Sequence, residues 1–251
     1  MTGWKIFSHS LNMVLRNIIW AFRIALVPTL LGTAISAALL WGDFAALAEA
    51  EAAGLEPPFP TGLLLKLLVA LPILIAIQLW AVVAWHRFVL LEEYPTGWIP
   101  PFHFDRILAY VGRGLMIALI LGVVWMLFAL LLVISMQISR VIAVVLVVPG
   151  IVGIGLFTFR LLPLFAAAAI GKPMAMNESI AATKGSAWAA ILLFVVLAIV
   201  QIGLQLVTTA SMAIFAPLGI LFYFGSIFVM TMVNVSILTT IYGYYVEKRP
   251  I

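Results

Sequence analysis

Long apolar runs without a charged residue alternate with short polar segments along the whole chain. Four runs contain no Asp, Glu, Lys or Arg at all: residues 24–41, 67–85, 114–139 and 141–159. After Lys184 no charged residue appears until Glu247, which leaves room for two more helices with a turn near 210–217. Because a helix needs roughly 20 apolar residues to cross a bilayer, the pattern predicts six spanning helices. We expect an all-α integral membrane protein, with residues 1–251 forming a single transmembrane domain.

The composition agrees with a membrane location and removes several kinds of chemistry. Of the 251 residues, 66% are hydrophobic and 9% charged, and the mean hydropathy is +1.27, whereas soluble domains are about 25% charged. The absence of cysteine excludes disulfides, thiolate zinc sites, cysteine-ligated iron–sulfur clusters and thioether-linked haem. The three histidines, His9, His86 and His103, lie near the ends of apolar runs. They therefore do not form stacked bis-histidine haem sites across a membrane, and we expect no cofactor.

The basic residues indicate how the chain is oriented in the membrane. The formal net charge is +4 and the pI about 9.6, but the basic residues stand singly between apolar runs, which does not favour nucleic-acid binding. With the N-terminus inside, cytoplasmic segments hold eleven of the thirteen Lys and Arg residues, and only Lys66 and Arg140 lie outside. The positive-inside rule then predicts that both termini are cytoplasmic.

The longest external segment predicted by this topology is acidic. Residues 42–60 contain Asp43, Glu49, Glu51 and Glu56 with no basic residue, and the prolines at 57, 58 and 60 favour an extended backbone. The small residues Ala46 and Ala48 are also typical of a signal-peptidase site, which is the alternative interpretation of the N-terminal region. Arg23 makes the region that precedes them unusually long for a signal peptide.

An internal repeat is visible at an offset of 73 residues (160 minus 87). The offset superposes residues of like type in the same order: Arg87 on Arg160, Pro100 on Pro173, Asp105 on Glu178, Ile107 on Ile180, Ala109 on Ala182 and Gly112 on Gly185. Each copy predicts a proline-led turn, a short helix opened by an acid and ended by Gly, and then a span. An acid suits the positive N-terminal end of a helix and Gly suits its C-terminal cap.

The N-terminus supplies a third, weaker copy of the unit. One face of its predicted helix is apolar, with Lys5, Ser8, Asn12 and Arg16 opposite; the apolar positions are Trp4, Phe7, Leu11, Val14, Leu15 and Ile18. This pattern is typical of an amphipathic helix in the membrane interface. We expect three parallel repeats of an interfacial helix plus a helical hairpin, at about 4–85, 100–159 and 173–246. Coincidental similarity among apolar hairpins is the alternative.

Two segments of the repeat resemble a known group of proteins. The stretch from Arg160 through Pro173, Glu178 and Gly185 to Trp188 is similar to bacterial six-span inner-membrane proteins. That group includes YciC-like proteins and the membrane domain that accompanies some glycerophosphodiester phosphodiesterases. The resemblance is clearest over 85–113 and 160–188, and it implies the six-span fold and a location in a bacterial inner (plasma) membrane. The family often has Ser or Thr where this chain has Ala175, which removes half of a capping box.

Ionisable and polar residues within the spans are functional candidates. None of the nine carboxylates falls in the middle of a span, which argues against a proton- or sodium-coupled carrier and against an intramembrane aspartyl protease. Gln201 and Gln205 share a face of the fifth span, and Asn234 lies in the sixth. Such amides usually form hydrogen bonds between helices, and the alternative is that they line a polar cavity.

These residues lead to a functional hypothesis with two alternatives. We expect a non-enzymatic inner-membrane scaffold or accessory subunit, which binds membrane lipids or a larger inner-membrane complex. Its partner or lipid interface would contain charged residues near the cytoplasmic ends of the spans: Arg87, Asp105, Arg106, Arg113, Arg160, Glu178 and Lys184. The first alternative is a transporter or channel with a cavity lined by Gln201, Gln205 and Asn234. The second is an enzyme built on His86, Glu92 and His103. Glu92 and Glu93, near the two histidines, could also contribute to a divalent-metal site, but we expect neither catalytic nor metal-binding residues.

Overall fold

The computed structural model describes residues 2–55 and 62–251, which form helices joined by short connections and contain no strand. In chain order the helices are α1 (Thr2–Arg16), α2 (Ile18–Ala52), α3 (Leu63–Leu91), α4 (Phe104–Ile138), α5 (Arg140–Leu161), α6 (Pro163–Ile170), α7 (Met176–Ala182), α8 (Ala187–Ile214) and α9 (Ala216–Tyr245). Six stretches are long and apolar enough to cross a membrane, namely α2, α3, α4, α5 together with α6, α8 and α9. An all-helical, multi-pass architecture is therefore confirmed.

The spanning helices pair as three hairpins, α2 with α3, α4 with α5 and α8 with α9. The last two hairpins turn at single residues with extended backbone, Ser139 (φ −162°, ψ 128°) and Phe215 (φ −153°, ψ 99°). Phe215 falls inside the predicted turn at 210–217, and Ser139 is the last residue of the charge-free run 114–139. We call the ends of the helices near α1, α7 and the C-terminal tail the termini side, and the opposite ends the loop side.

Two boundaries differ from those expected from the sequence. The short helix predicted to end at Gly112 continues without a break into α4. Its counterpart Gly185 does lie at a break, with φ +80°, between α7 and α8. On the loop side, α2 extends to Ala52, so the first half of the acidic segment is helical; Asp43 on α2 pairs with Lys66 on α3 at 2.7 Å. The prolines at 57–60 lie outside the described residues.

A helix that the sequence did not predict occupies the centre of the termini side. The fourth span was expected to end at Phe159, but a second helix, α6, follows after an interruption of one residue at Leu162, whose backbone angles remain helical. Pro163 opens α6, where its missing N–H costs nothing, and Gly171 closes it with φ +75°. All of its residues except Phe165 are buried, because α6 lies between α3, α4 and α9.

Helix α1 packs against α8 and α9, and only part of its predicted apolar face is covered by this contact. Its buried residues are Gly3, Ile6, Phe7, Ser10 and Val14, which contact α8 and α9. Trp4 and Leu15, which were predicted to belong to the same apolar face as Phe7, are 53% and 50% exposed. The predicted apolar face is therefore covered in part, since Phe7 and Val14 are buried and Leu11 and Ile18 pack against the same core.

The core is concentrated on the termini side. Its largest buried side chains include Trp85 on α3, Phe159 on α5, Leu193 on α8 and Ile241 on α9. Toward the loop side the hairpins have few neighbours within the chain. Only 6% of the most apolar stretch of α4 is buried, and 11% in α8, compared with 33% in α3. The chain therefore has a closed termini-side half and an open loop-side half.

The contact between α1 and α8 gives a prediction on stability. A Cβ on Gly3 would collide with the carbonyl oxygen of Ala189 and lie 2.9 Å from the backbone nitrogen of Leu193. Because backbone atoms cannot move aside as side chains do, Gly3→Ala should lower the free energy of unfolding by about 1–3 kcal/mol. The measurement is the thermal unfolding midpoint in a mild detergent.

Gly112→Ala is the matched control, because nothing lies within 4 Å of the added Cβ and the residue is helical. The control should be neutral or stabilising by about 0.5–1 kcal/mol. Equal midpoints for the two variants would contradict the close packing of α1 on α8.

Candidate functional site

Hydroxyl groups on one face of α9 connect three helices on the termini side. Ser236 accepts a hydrogen bond from the indole nitrogen of Trp85 at 2.8 Å, and the hydroxyls of Thr240 and Ser10 lie 2.9 Å apart. Thr239 lies 2.8 Å from His86 Nδ1. These positions on α9 are three and four residues apart and share a face, so a single helix face contacts both α3 and α1. In a low-dielectric interior such contacts fix the relative register of the helices.

His86 is a packing residue in this structure. Its side chain is fully buried, its ring lies 5.8 Å from that of Tyr110, and Nε2 has no hydrogen-bond partner among the described residues. His103 instead lies 2.7 Å from Glu93, while Glu92 caps the end of α3. Residues 2–55 and 62–251 contain no group of three or more His, Asp or Glu arranged to hold a metal ion. Of the residues named for an enzyme or a metal site, the described structure brings His103 and Glu93 into contact, whereas His86 contacts Thr239 on α9.

Glu93 is the centre of an ion cluster in the segment between α3 and α4. It accepts a hydrogen bond from Arg87 Nε at 2.8 Å, and its other oxygen lies 2.7 Å from His103 Nε2. Burial alone would raise the pKa of Glu93, but the hydrogen bonds and positive charges of Arg87 and His103 outweigh it and hold the pKa below its usual value of 4.5. The cluster ties the connecting segment to α3.

Arg87 and Arg106 meet the carboxyl end of α6. Arg87 also donates to the carbonyl of Ala169 at 3.4 Å, and the guanidinium of Arg106 packs directly on Gly171 while pairing with Asp105 at 2.9 Å. The last carbonyls of a helix carry partial negative charge, so cations at this end are stabilising. These three residues were predicted as part of a partner or lipid interface. In the structure both arginines hold α6 in place.

The other predicted interface residues lie apart from one another. Arg113 contacts the sulfur of Met116 on its own helix, and the backbone carbonyl of Arg160 accepts a hydrogen bond from Ser179 at 2.7 Å. Glu178 accepts a hydrogen bond from the backbone N–H of Ala175 at 2.8 Å, which is the half of the capping box that the sequence retains. Lys184 is exposed and lines two cavities on the termini side.

Arg23 is held by aromatic rings. Its guanidinium carbon lies 4.9 Å from the ring centre of Trp20 on the same helix, α2. It lies 5.7 Å from the ring centre of Trp98, which is in the segment between α3 and α4. Such cation–π contacts contribute about 0.5–2 kcal/mol, more where the cation is desolvated. Arg23 forms no salt bridge with a described carboxylate. Its contact with Trp98 holds the segment between α3 and α4 against α2.

Gln201, Gln205 and Asn234 line one cavity between α8 and α9, which we call the amide groove. Its volume is about 210 Å³, and its remaining lining includes further polar side chains: Thr208, Tyr223, Ser226 and Thr231. All three amide side chains are exposed. None makes a hydrogen bond to another described residue, whereas nearby hydroxyls such as Ser226 bond to their own helix. The i, i+4 spacing that the sequence showed therefore corresponds to one polar face of α8.

The amide groove begins near the middle of α8 and extends toward the loop side. At about 1.5 Å per residue, Gln201 lies roughly 21 Å from the start of α8, a helix about 42 Å long. Gln205 and Thr208 follow toward the loop side. On the termini side of the groove, Leu193 and Val233 are buried in the main core, and Leu197 and Val200 pack against it. The groove is therefore closed at its termini-side end.

Sequence reasoning missed part of the lining. A second cavity of about 290 Å³ lies on the other side of α9, between it and α2 and α3, and includes Gln78 and Thr29. Ile227 and Thr231 border both cavities. The signal for these residues is weak, since single hydroxyls in an apolar run usually bond to their own helix, as Thr33 and Ser36 do on α2.

Comparisons with known proteins give no match. No protein-family model, no curated protein and no solved structure is similar to the chain. The resemblance of the segments around Arg87 and Arg160 to YciC-like proteins therefore stays a prediction.

The ion cluster gives a prediction on pH dependence. Because the pKa of Glu93 is lowered in the folded protein, its ionised form stabilises the fold above the unfolded value of 4.5, and this contribution is lost as the pH falls through the lowered folded value. Glu93→Gln should lower the unfolding midpoint at pH 7 and reduce its fall between pH 5 and about 3. Thermal unfolding in detergent across this range is the measurement.

Glu92→Gln is the control, because the carboxylate of Glu92 is exposed and has no salt bridge to a described residue. It should follow the unsubstituted protein at every pH. If Glu92→Gln and Glu93→Gln shift the midpoint equally, the cluster around Glu93 does not fix the segment.

Proposed function

We propose that the chain is a non-enzymatic scaffold or accessory subunit of a bacterial inner-membrane complex, and that a transmembrane helix of its partner covers the amide groove. Both termini are cytoplasmic in this proposal. The observation that carries it is the exposure of Gln201, Gln205 and Asn234 in the membrane without hydrogen-bond partners in the described chain.

An amide without a hydrogen-bond partner is costly in the hydrocarbon region of a bilayer. Transfer of such a group from water to an apolar medium costs roughly 2–7 kcal/mol, and lipid tails offer no compensating bond. Polar side chains on a neighbouring helix satisfy the amides, each bond contributing about 0.6–2 kcal/mol. A groove with three amides on two facing helices therefore suits a partner helix that carries its own polar residues.

The sparse burial of the loop-side half supports the same proposal. Helices α4, α8 and the α5–α6 span bury only 6–11% of their most apolar stretches within the chain, while lipid and partner helices are available to cover the rest. Exposed apolar residues are expected against lipid and do not by themselves indicate a partner. The exposed amides distinguish this surface from one that contacts only lipid, because they form directional hydrogen bonds that a partner helix satisfies and lipid tails do not.

The predicted topology and repeat belong to this proposal. An even number of spans brings the two termini to the same side, and the contacts of α1 with α9 agree with that arrangement. The distribution of Lys and Arg assigns this side to the cytoplasm. The three hairpins, each preceded by a helix or helical segment on the termini side, support the parallel repeat, although its second copy has no break at Gly112.

Transport of a small or lipidic solute is the second candidate, and the amide groove is the observation that favours it. A transport path needs polar groups on both sides of mid-membrane, whereas the termini-side end of the groove is closed by Leu193 and Val233.

Because the chain has no cysteine, Gln205→Cys introduces a unique thiol. Transport predicts that this thiol reacts with a membrane-impermeant maleimide in sealed vesicles. A covered groove predicts no reaction, with Glu49→Cys as the reactive control.

Loss of the partner is the direct prediction of the subunit proposal. The combined variant Gln201→Leu, Gln205→Leu and Asn234→Leu keeps the approximate side-chain volume and removes every amide from the groove. Its partner should no longer co-purify in mild detergent, or should do so with an affinity reduced at least tenfold, as expected from the loss of two or three intramembrane hydrogen bonds. The measurement is quantitative mass spectrometry of the affinity-purified protein.

Ile199→Ala is the control, because Ile199 is 64% exposed and lies on the opposite face of α8. It should retain the partner. The subunit proposal is contradicted if the unsubstituted protein elutes alone from native membranes, or if both variants lose the partner to the same extent.

A further inference from the structure

Two adjoining cavities form a basic cleft on the termini side, away from the amide groove. One, of about 300 Å³, lies between the start of α1, the start of α8 and the end of α9; the other, of about 410 Å³, lies beside the C-terminal tail. Both are lined by Lys184, Tyr244 and Tyr245. We call the combined space the Tyr244 cleft. It has no part in the partner contact described above.

The charge of the Tyr244 cleft is positive. Its lining contains Lys184, Lys248 and Arg249 and no carboxylate. The nearest acid, Glu247, pairs with Arg249 at 2.7 Å and with Lys172 at 3.1 Å, so it does not neutralise the two lysines. Both lysine side chains are free of salt bridges to described residues. The cleft therefore has two ammonium groups available for an anion.

The positions of the two ammonium groups are constrained differently. Lys248 has a left-handed backbone (φ 58°), and its Nζ donates to the carbonyl of Tyr245 at 2.7 Å. An ammonium has three donors, so two remain for a ligand. Lys184 follows the end of α7 immediately before the break at Gly185, where φ is +80°. The two lysines thus come from opposite sides of the cleft, on the α7–α8 connection and the C-terminal tail.

The other wall of the cleft, formed by α8, is apolar. Ala189 and Leu192 on α8 line it below Lys184, and Trp188, in the first turn of α8, is 77% exposed. Tryptophan at the end of an apolar helix is typical of the level of lipid headgroups. The cleft therefore joins a positively charged rim at headgroup level to an apolar surface that descends along α8.

We infer that the Tyr244 cleft binds the headgroup of an anionic phospholipid, with the phosphate between Lys184 and Lys248 and one acyl chain along Leu192. The apolar wall favours a lipid over free phosphate, which gains nothing from that surface. A zwitterionic headgroup is disfavoured, because its own ammonium group would face the two lysines. Tyr244 is placed to donate its hydroxyl to a phosphate oxygen.

Lipid binding to the delipidated, detergent-purified full chain tests the inference, with phosphatidylglycerol, phosphatidylcholine and inorganic phosphate as separate probes. Phosphatidylglycerol should bind at least tenfold more tightly than phosphatidylcholine, by native mass spectrometry and by the rise in thermal midpoint. Lys184→Gln with Lys248→Gln should weaken phosphatidylglycerol binding about tenfold or more, and the preference should decrease with added salt.

Lys5→Gln with Arg16→Gln is the matched control, because it also removes two positive charges, but from exposed positions on α1 outside the cleft. It should change binding less than twofold. The inference is overturned if the control weakens binding as much as the cleft variant, or if the two lipids bind equally. It is also overturned if millimolar phosphate binds alone and displaces phosphatidylglycerol, since the ligand would then be free phosphate.

Unfolding of the variant does not obscure the result, because both lysines are exposed and each variant's midpoint in phosphatidylcholine reports its fold. Should the double variant not purify, Lys184→Gln alone carries the test, with at least a threefold loss expected. The outcome is also distinct from that of the partner experiment, because the amide-groove variant leaves Lys184 and Lys248 intact.

Discussion

One face of α9 holds the termini-side half of the molecule together. Ser236, Thr239 and Thr240 each contact a polar group on another helix, two on α3 and one on α1. Their neighbours on α9 are buried apolar residues, so the same face supplies both the packing and the polar contacts that set the register. Helix α6 then fills the space between α3, α4 and α9, with arginines at its carboxyl end.

This arrangement divides the molecule into two parts with different physical properties. On the termini side, side chains from all three hairpins pack into a common core, and the connections are tied down by ion pairs and cation–π contacts. On the loop side the hairpins contact mainly themselves, and the Asp43–Lys66 pair is a local link within the first hairpin. The amide groove lies in the open part and the Tyr244 cleft borders the closed part. Binding at the first therefore need not alter the second.

The sequence predicted the features that depend on local properties. The six helices follow from charge-free runs of sufficient length, and the shared face of Gln201 and Gln205 follows from their spacing. The hydrogen bonds between helices that were expected of these amides are not formed within the described chain, where the amides line a cavity instead. Other features depend on contacts between distant segments, which periodicity does not report. Gly112 and Gly185 occupy equivalent repeat positions, yet only Gly185 takes a left-handed conformation, because glycine allows both and the surrounding packing decides. Similarly, α6 has the composition of any apolar stretch, and only its burial on three sides distinguishes it.

The subunit proposal requires that a partner helix covers the amide groove in the membrane. Site-specific incorporation of a photo-crosslinking amino acid at Gln205, followed by irradiation of native membranes, tests this directly. A discrete protein adduct should form at position 205 and not at Ile199, which faces the opposite side of α8 toward lipid. A protein adduct at neither position, or at both with equal yield, would contradict the claim.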